Sequence, residues 1–102
     1  LGYETISRIL LWRTKIKEDP IKIGEARSDI LQGIALLEER SLHLLSAFGY
    51  MNLGELFFDI DYQQEALENL KKAESMYLKM QIPPQSYWLA RIREDLAKLV
   101  RI

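Results

Sequence analysis

The stretch from Tyr50 to Ala73 constrains this chain more than any other. It reads Tyr50-x-x-Leu53-Gly54-x-x-Phe57, a short break, then Ala66-x-x-x-Leu70-x-x-Ala73. Tyr50, Leu53, Gly54 and Phe57 stand at i, i+3, i+4 and i+7, which puts four side chains on one face of a helix. Ala66, Leu70 and Ala73 share a face of the next helix in the same way. Gly54 and Ala66 lack bulk, so two helix backbones can approach closely there while their large neighbours fill the space around them. Asp59, Ile60, Asp61 and Tyr62 form the break, and aspartate tolerates the backbone conformations that a tight turn demands. The pattern predicts two helices packed antiparallel.

An echo lies 40 residues upstream, where Ala26-x-x-x-Ile30-x-x-Gly33 has the form of Ala66-x-x-x-Leu70-x-x-Ala73. The same displacement matches the first helix of the pair poorly: Leu10 falls at the aromatic place, Arg13 at the Leu and Thr14 at the Gly. With five glycines, three prolines and no alternating β-branched runs, the chain reads as all helical. Helices are expected over about Glu4 to Lys17, Glu25 to Glu39, Ser41 to Ile60, Tyr62 to Met80, and Gln85 to Ile102. Glu18, Asp19 and Pro20 end the first, because proline cannot donate to the helix ladder and disfavours a helical residue before it. Gly24 marks the start of the second and Ser41 is the expected N-cap of the third. Gln81 to Pro84 is the clearest linker. Trp88, Ile92, Leu96 and Leu99 give the fifth helix one apolar side.

A chain of 102 residues is one small domain, near the lower limit of a self-sufficient core. It has no cysteine, so helix packing rather than disulfides or thiolate metal sites must hold it together. The net charge of -1 offers no strong field to nucleic acid or to an anionic membrane. Residues 53–78 nevertheless carry six acids against two lysines, and residues 79–102 five bases against two acids, which predicts an acidic stripe beside a basic one. Apolar runs such as Ile9 to Trp12 fall far short of the roughly 20 residues that span a bilayer. There is no secretory signal, and the first residue is Leu1, so the expectation is a cytoplasmic piece of a longer protein.

Catalytic constellations are absent from this reading. His43 is the only histidine, with Glu39 four residues before it, but no second oriented group or pocket accompanies them, and a surface or loop histidine is expected. One histidine without cysteine does not build a usual zinc site. Gly33, Gly49 and Gly54 are isolated and read as close packing contacts, not as a phosphate cradle. Trp12, Tyr87 and Trp88 beside basic residues resemble stacking groups for single strands, yet too few Lys and Arg cluster there to neutralise a phosphate backbone. Trp12 and Trp88 are expected to cover the two ends of a helix stack. No enzyme activity, metal or cofactor is expected.

The pattern from Tyr50 to Ala73 resembles the tetratricopeptide repeat. A period of 40 residues exceeds the roughly 34 of the consensus repeat, which implies an extra helical turn or a longer loop per unit. The resemblance implies antiparallel hairpins stacked as a right-handed solenoid of about five helices: a degenerate repeat at residues 1–40, the best-matching one at 41–80 and a capping helix at 85–102. The segment from Ala66 to Leu99, with Tyr87-Trp88-Leu89-Ala90-Arg91 opening the last helix, looks like repeat regions of bacterial multidomain signalling and regulatory proteins.

In that family, ligands lie in a concave groove on the side of each first helix that faces away from its hairpin partner. The resemblance therefore implies a site made of Phe48, Met51, Glu55 and Phe58, with Leu11 and Lys15 on the first helix and Arg91 and Asp95 on the last. Aromatic and Met side chains in a groove are typical anchors for an inserted peptide or helix; packed inward, the same residues would simply be core. A clamp for a terminal carboxylate is not expected, since Met51 and Glu55 stand where it wants Lys and Asn, and Asn52 is expected to bond between helices. The implied function is a module that binds a protein or peptide, without nucleic acid or membrane, and with homo-oligomerisation through an uncovered face. The alternative is a structural spacer or homodimerisation domain with no ligand of its own.

Overall fold

The spacing of apolar positions is realised as five helices in the computed structural model, which describes residues 2–83 and 86–100. They are α1 (Gly2–Glu18), α2 (Ile23–Glu39), α3 (His43–Asp59), α4 (Gln63–Lys79) and α5 (Tyr87–Val100), with a 3-10 turn over Pro20–Lys22 between the first two. No strand occurs among the described residues. Asp19 ends α1 at φ -143 and ψ 82, the extended conformation that a following proline imposes.

Helices α2, α3 and α4 are each 17 residues long, and they end alike. Ser41, Asp61 and Gln81 adopt left-handed backbones, with φ of 58, 64 and 60 degrees. The amide of the residue after each reaches back to the last turn: Leu42 N to Leu37 O (2.9 Å), Tyr62 N to Phe57 O (2.9 Å) and Ile82 N to Tyr77 O (3.1 Å). The left-handed residues themselves donate to Glu38, Phe58 and Leu78. This is the Schellman arrangement, which satisfies carbonyls that a helix end leaves orphaned. Its hydrophobic contact is visible at Tyr62, whose ring stacks on Phe57 with centroids 6.0 Å apart.

Leu42 and Tyr62 also open the next helix, accepting from Ser46 N (3.0 Å) and Ala66 N (2.9 Å). The period of 40 is therefore two helices of one length joined by three-residue corners. Ser41 is the left-handed closing residue of α2 and not the N-cap of α3; Leu42 takes that place, and no side chain caps the helix. The side-chain cap occurs at α5, where Ser86 Oγ accepts from Leu89 N (3.4 Å). α5 starts at Tyr87; Pro84, Gln85, Arg101 and Ile102, which the sequence reading placed in the linker and last helix, lie outside the described residues.

The core follows from helical spacing. Ala26, Ile30, Gly33 and Leu37 of α2 are buried, and so are Ala66, Leu70, Ala73 and Tyr77 of α4, the same positions 40 residues on. Both rows face α3, in which every residue from Gly49 to Phe57 is buried. Ile9 and Ile16 of α1 and Leu89 and Ile92 of α5 complete the cluster. Close approach depends on glycine at two points of α3: a Cβ on Gly49 would lie 2.8 Å from Ile34 Cγ1, and one on Gly54 would lie 2.7 Å from Leu70 Cγ.

Candidate partner-binding site

Glu55 sits in the middle of α3 and is only 5% exposed. A buried carboxylate is costly unless it is paired, and helices on both sides of α3 supply its partners. From α1, Arg13 Nη1 donates to Glu55 Oε1 (2.7 Å) and to Asn52 Oδ1 (3.0 Å), while Nη2 reaches Asp59 Oδ2 (3.3 Å). Asn52, Glu55 and Asp59 lie at i, i+3 and i+7, so one guanidinium reads a polar stripe along α3. From α5, Arg91 Nε donates to Glu55 Oε2 (2.7 Å), and Arg91 Nη2 also pairs with Oε1. Asn52 completes its own bonding by donating to Phe48 O (2.9 Å).

Asp95 brings a second carboxyl to this point. Its Oδ2 is buried and meets no donor among the described residues. Burial, together with the hydrogen bond to Glu55 and the negative charge of that neighbour, pushes its pKa up to about 7, against the pull of Arg91 and Lys98. Burial works against ionisation of Glu55 too, but hydrogen bonds from Asp95 and Arg91 and the charge of Arg13 outweigh it and hold its pKa below the ordinary value. The opposite directions of the two shifts place the negative charge on Glu55 and favour a proton on Asp95 below about pH 7.

An aromatic edge adjoins the cluster. Phe48 of α3 meets Trp88 of α5 edge to face at 5.0 Å, Trp88 meets Tyr87 in the same way at 4.8 Å, and Arg91 lies 5.8 Å from the centroid of the Trp88 ring. Trp88 is 36% exposed and Tyr87 is more open still.

The eight residues implied by the resemblance fall into separate environments. Glu55, Arg91 and Asp95 come together in the carboxyl cluster, and Phe48 forms the inner end of the aromatic edge. Met51 is 0% exposed and packs in the core, and Phe58 is half-buried against it. Leu11 is 54% exposed; it lines a hollow of about 160 Å³ between α1 and α2 with Arg8, Trp12, Lys15 and Asp29. In that hollow Trp12 Nε1 donates to Asp29 Oδ2 (2.7 Å), and hydrogen bonds from Arg8 and Trp12 lower the Asp29 pKa. Trp12 is thus bonded between α1 and α2, and Trp88 of α5 packs against Phe48 of α3.

Arg13 is hidden by the repeat pattern. It occupies the Leu place of the displaced pattern and looks like a mismatch until Asn52, Glu55 and Asp59 are read as a stripe at helical spacing on an otherwise apolar helix. The acid-rich and base-rich segments do not form parallel stripes alone; they interlock through Arg91 with Glu55 and Arg93 with Glu74 (3.3 Å). Glu39 closes α2 and His43 opens α3, so they share no helical face. His43, Met76, Lys79 and Met80 line a hollow of about 330 Å³ at that end. None of the described helices is long and apolar enough to cross a membrane. No protein-family model, curated protein or solved structure matches this chain.

Proposed function

We propose that the chain is a tetratricopeptide-like interaction module that binds a peptide or helix of a protein partner, as one part of a larger signalling or regulatory protein. The observation that carries this reading is the open aromatic edge of Phe48, Trp88 and Tyr87 beside Arg91. Aromatic and Arg side chains are the types that dominate binding energy in protein interfaces. Two equal helical hairpins and a fifth helix, with α3 touching both α1 and α5 through side chains, support the stacked arrangement that the resemblance implies. Met51 is excluded as an anchor by its burial, and Glu55 serves by orienting Arg91.

The test is selection of peptides from a displayed library on the intact chain, followed by fluorescence anisotropy of those enriched. Tyr87→Ala and Leu11→Asp should each weaken capture about tenfold, the effect of roughly 1.4 kcal/mol, with the melting temperature little changed because both side chains are largely exposed. Failure to enrich any peptide, or binding by both variants as tight as that of the unaltered chain, would remove the proposal. The alternative, a spacer that associates with itself, is favoured by the open side chains of Tyr3, Leu10 and Ile21. It predicts a dimer by light scattering that Leu10→Glu dissociates.

A further inference from the structure

We propose that the Glu55 and Asp95 carboxyl pair, clasped by Arg13 and Arg91, is a proton-sensitive latch that holds α5 against α3, closed while the pair shares one proton and loosened when both carboxyls ionise. The latch rests on where the groups lie: an almost fully buried carboxylate on the central helix, Asp95 on the last helix one turn beyond the Arg91 that binds that carboxylate, and a buried Asp95 oxygen that has no donor facing it among the described residues. A proton on that oxygen turns the orphaned acceptor into a donor to Glu55, which satisfies both groups at once. Removing the proton places two negative charges side by side while Arg13 and Arg91 are already bonded to Glu55, and like charges in a poorly solvated site repel strongly.

Among the described residues, the charged groups around the pair come from α1, α4 and α5. From α1 comes Arg13, already divided among Asn52, Glu55 and Asp59. α5 itself supplies Arg91, with Tyr87 at its side, and Lys98. α4 meets α5 through Glu74 and Arg93. Arg13 and Arg91 are bound to Glu55 in the closed state and so cannot be recruited in full to a second anion. The remaining hold on α5 is apolar, through Leu89 and Ile92 in the core and Trp88 on Phe48, so the helix loosens without leaving.

Linkage fixes the size and the sign. A group whose proton is held with a pKa of about 7 when α5 is docked, and with the ordinary carboxylate value when it is not, weakens docking by on the order of tenfold between pH 6 and pH 8. Amide hydrogen exchange on the intact chain, corrected for intrinsic rates, should show that loss of protection in α5 and not in α1 or α2. Carbon-13 chemical shifts of the Asp95 carboxyl should titrate with a midpoint near 7. In Asp95→Asn the amide donates to Glu55 at every pH, and α5 protection should become flat. A midpoint in the ordinary carboxylate range, a loss of protection spread evenly over all helices, or a pH response that persists in Asp95→Asn would overturn the latch.

Discussion

Two glycines show how local surroundings decide the sign of one substitution. Alanine is better than glycine in a helix by up to about 1 kcal/mol, because glycine loses more backbone freedom on folding. At Gly24, in the first turn of α2, an added Cβ meets nothing within 4 Å, so Gly24→Ala should raise stability by up to that amount. At Gly54 the same atom would lie 2.7 Å from Leu70 Cγ and 3.0 Å from the Leu70 backbone nitrogen. A rotamer change relieves the first contact but not the second, so α3 and α4 must separate. Overpacking of this kind costs about 1–3 kcal/mol, so after the helix-propensity gain Gly54→Ala should lose up to about 2 kcal/mol net. Chemical denaturation of the two variants checks both signs, and a stabilised Gly54→Ala would mean that the helices are not in contact there.

At the scale of the element, the three corners carry a shared strain. Left-handed backbone costs a residue with a side chain about 1–2 kcal/mol relative to the right-handed form, and Ser41, Asp61 and Gln81 all adopt it. Glycine removes that penalty while adding freedom to the unfolded chain, so Ser41→Gly and Gln81→Gly should each gain up to about 1 kcal/mol. Asp61→Gly should gain less, because aspartate enters this conformation more readily. Thermal melts should rank the variants in that order; a loss at Gln81 would show that its side chain supports the corner.

Those corners also mark where the sequence was hard to read. The helices were legible because Ala26, Ile30 and Gly33 repeat as Ala66, Leu70 and Ala73, and such spacing survives without knowledge of the neighbours. Ser41 was misread because serine is a good N-cap, and nothing local reveals that the preceding helix consumes it. The site was partly legible. Arg91, Glu55 and Asp95 fall on the register of the displaced pattern, whereas Met51 was misjudged because a position left free by the signature is not thereby open to solvent. A helix packed on all sides buries its whole circumference.

That last point governs the molecule as a whole. The chain forms a slab of 37 by 37 by 18 Å, with α3 in contact with helices on either side through Arg13 and Arg91, and beneath through the rows of α2 and α4. Stacked repeats that touch only their neighbours lose cooperativity as units separate. Here half of the hairpin from residue 41 to 80 is a helix that each other helix helps to bury, so unfolding should be a single transition. Trp12 on α1 and Trp88 on α5 report from opposite sides of α3. In Trp12→Phe only Trp88 remains, in Trp88→Phe only Trp12, and in each variant fluorescence and far-ultraviolet circular dichroism should give coincident urea midpoints at pH 6.

The sign of the pH effect distinguishes the two reporters. Asp95, with its folded pKa raised, contributes stability that is present in acid and declines as pH rises toward about 7, whereas Glu55 and Asp29, with theirs lowered, contribute stability that is lost as pH falls through their folded values. Moving from pH 6 to pH 8.5 therefore weakens only the side of the slab on which α5 lies. There the Trp88 signal should begin to change at lower urea than the circular dichroism of the same variant, while the Trp12 signal stays coincident. Coincidence of both reporters at pH 8.5 would mean that α5 is held by its apolar contacts alone, and separation at pH 6 would mean that α3 does not couple the two sides.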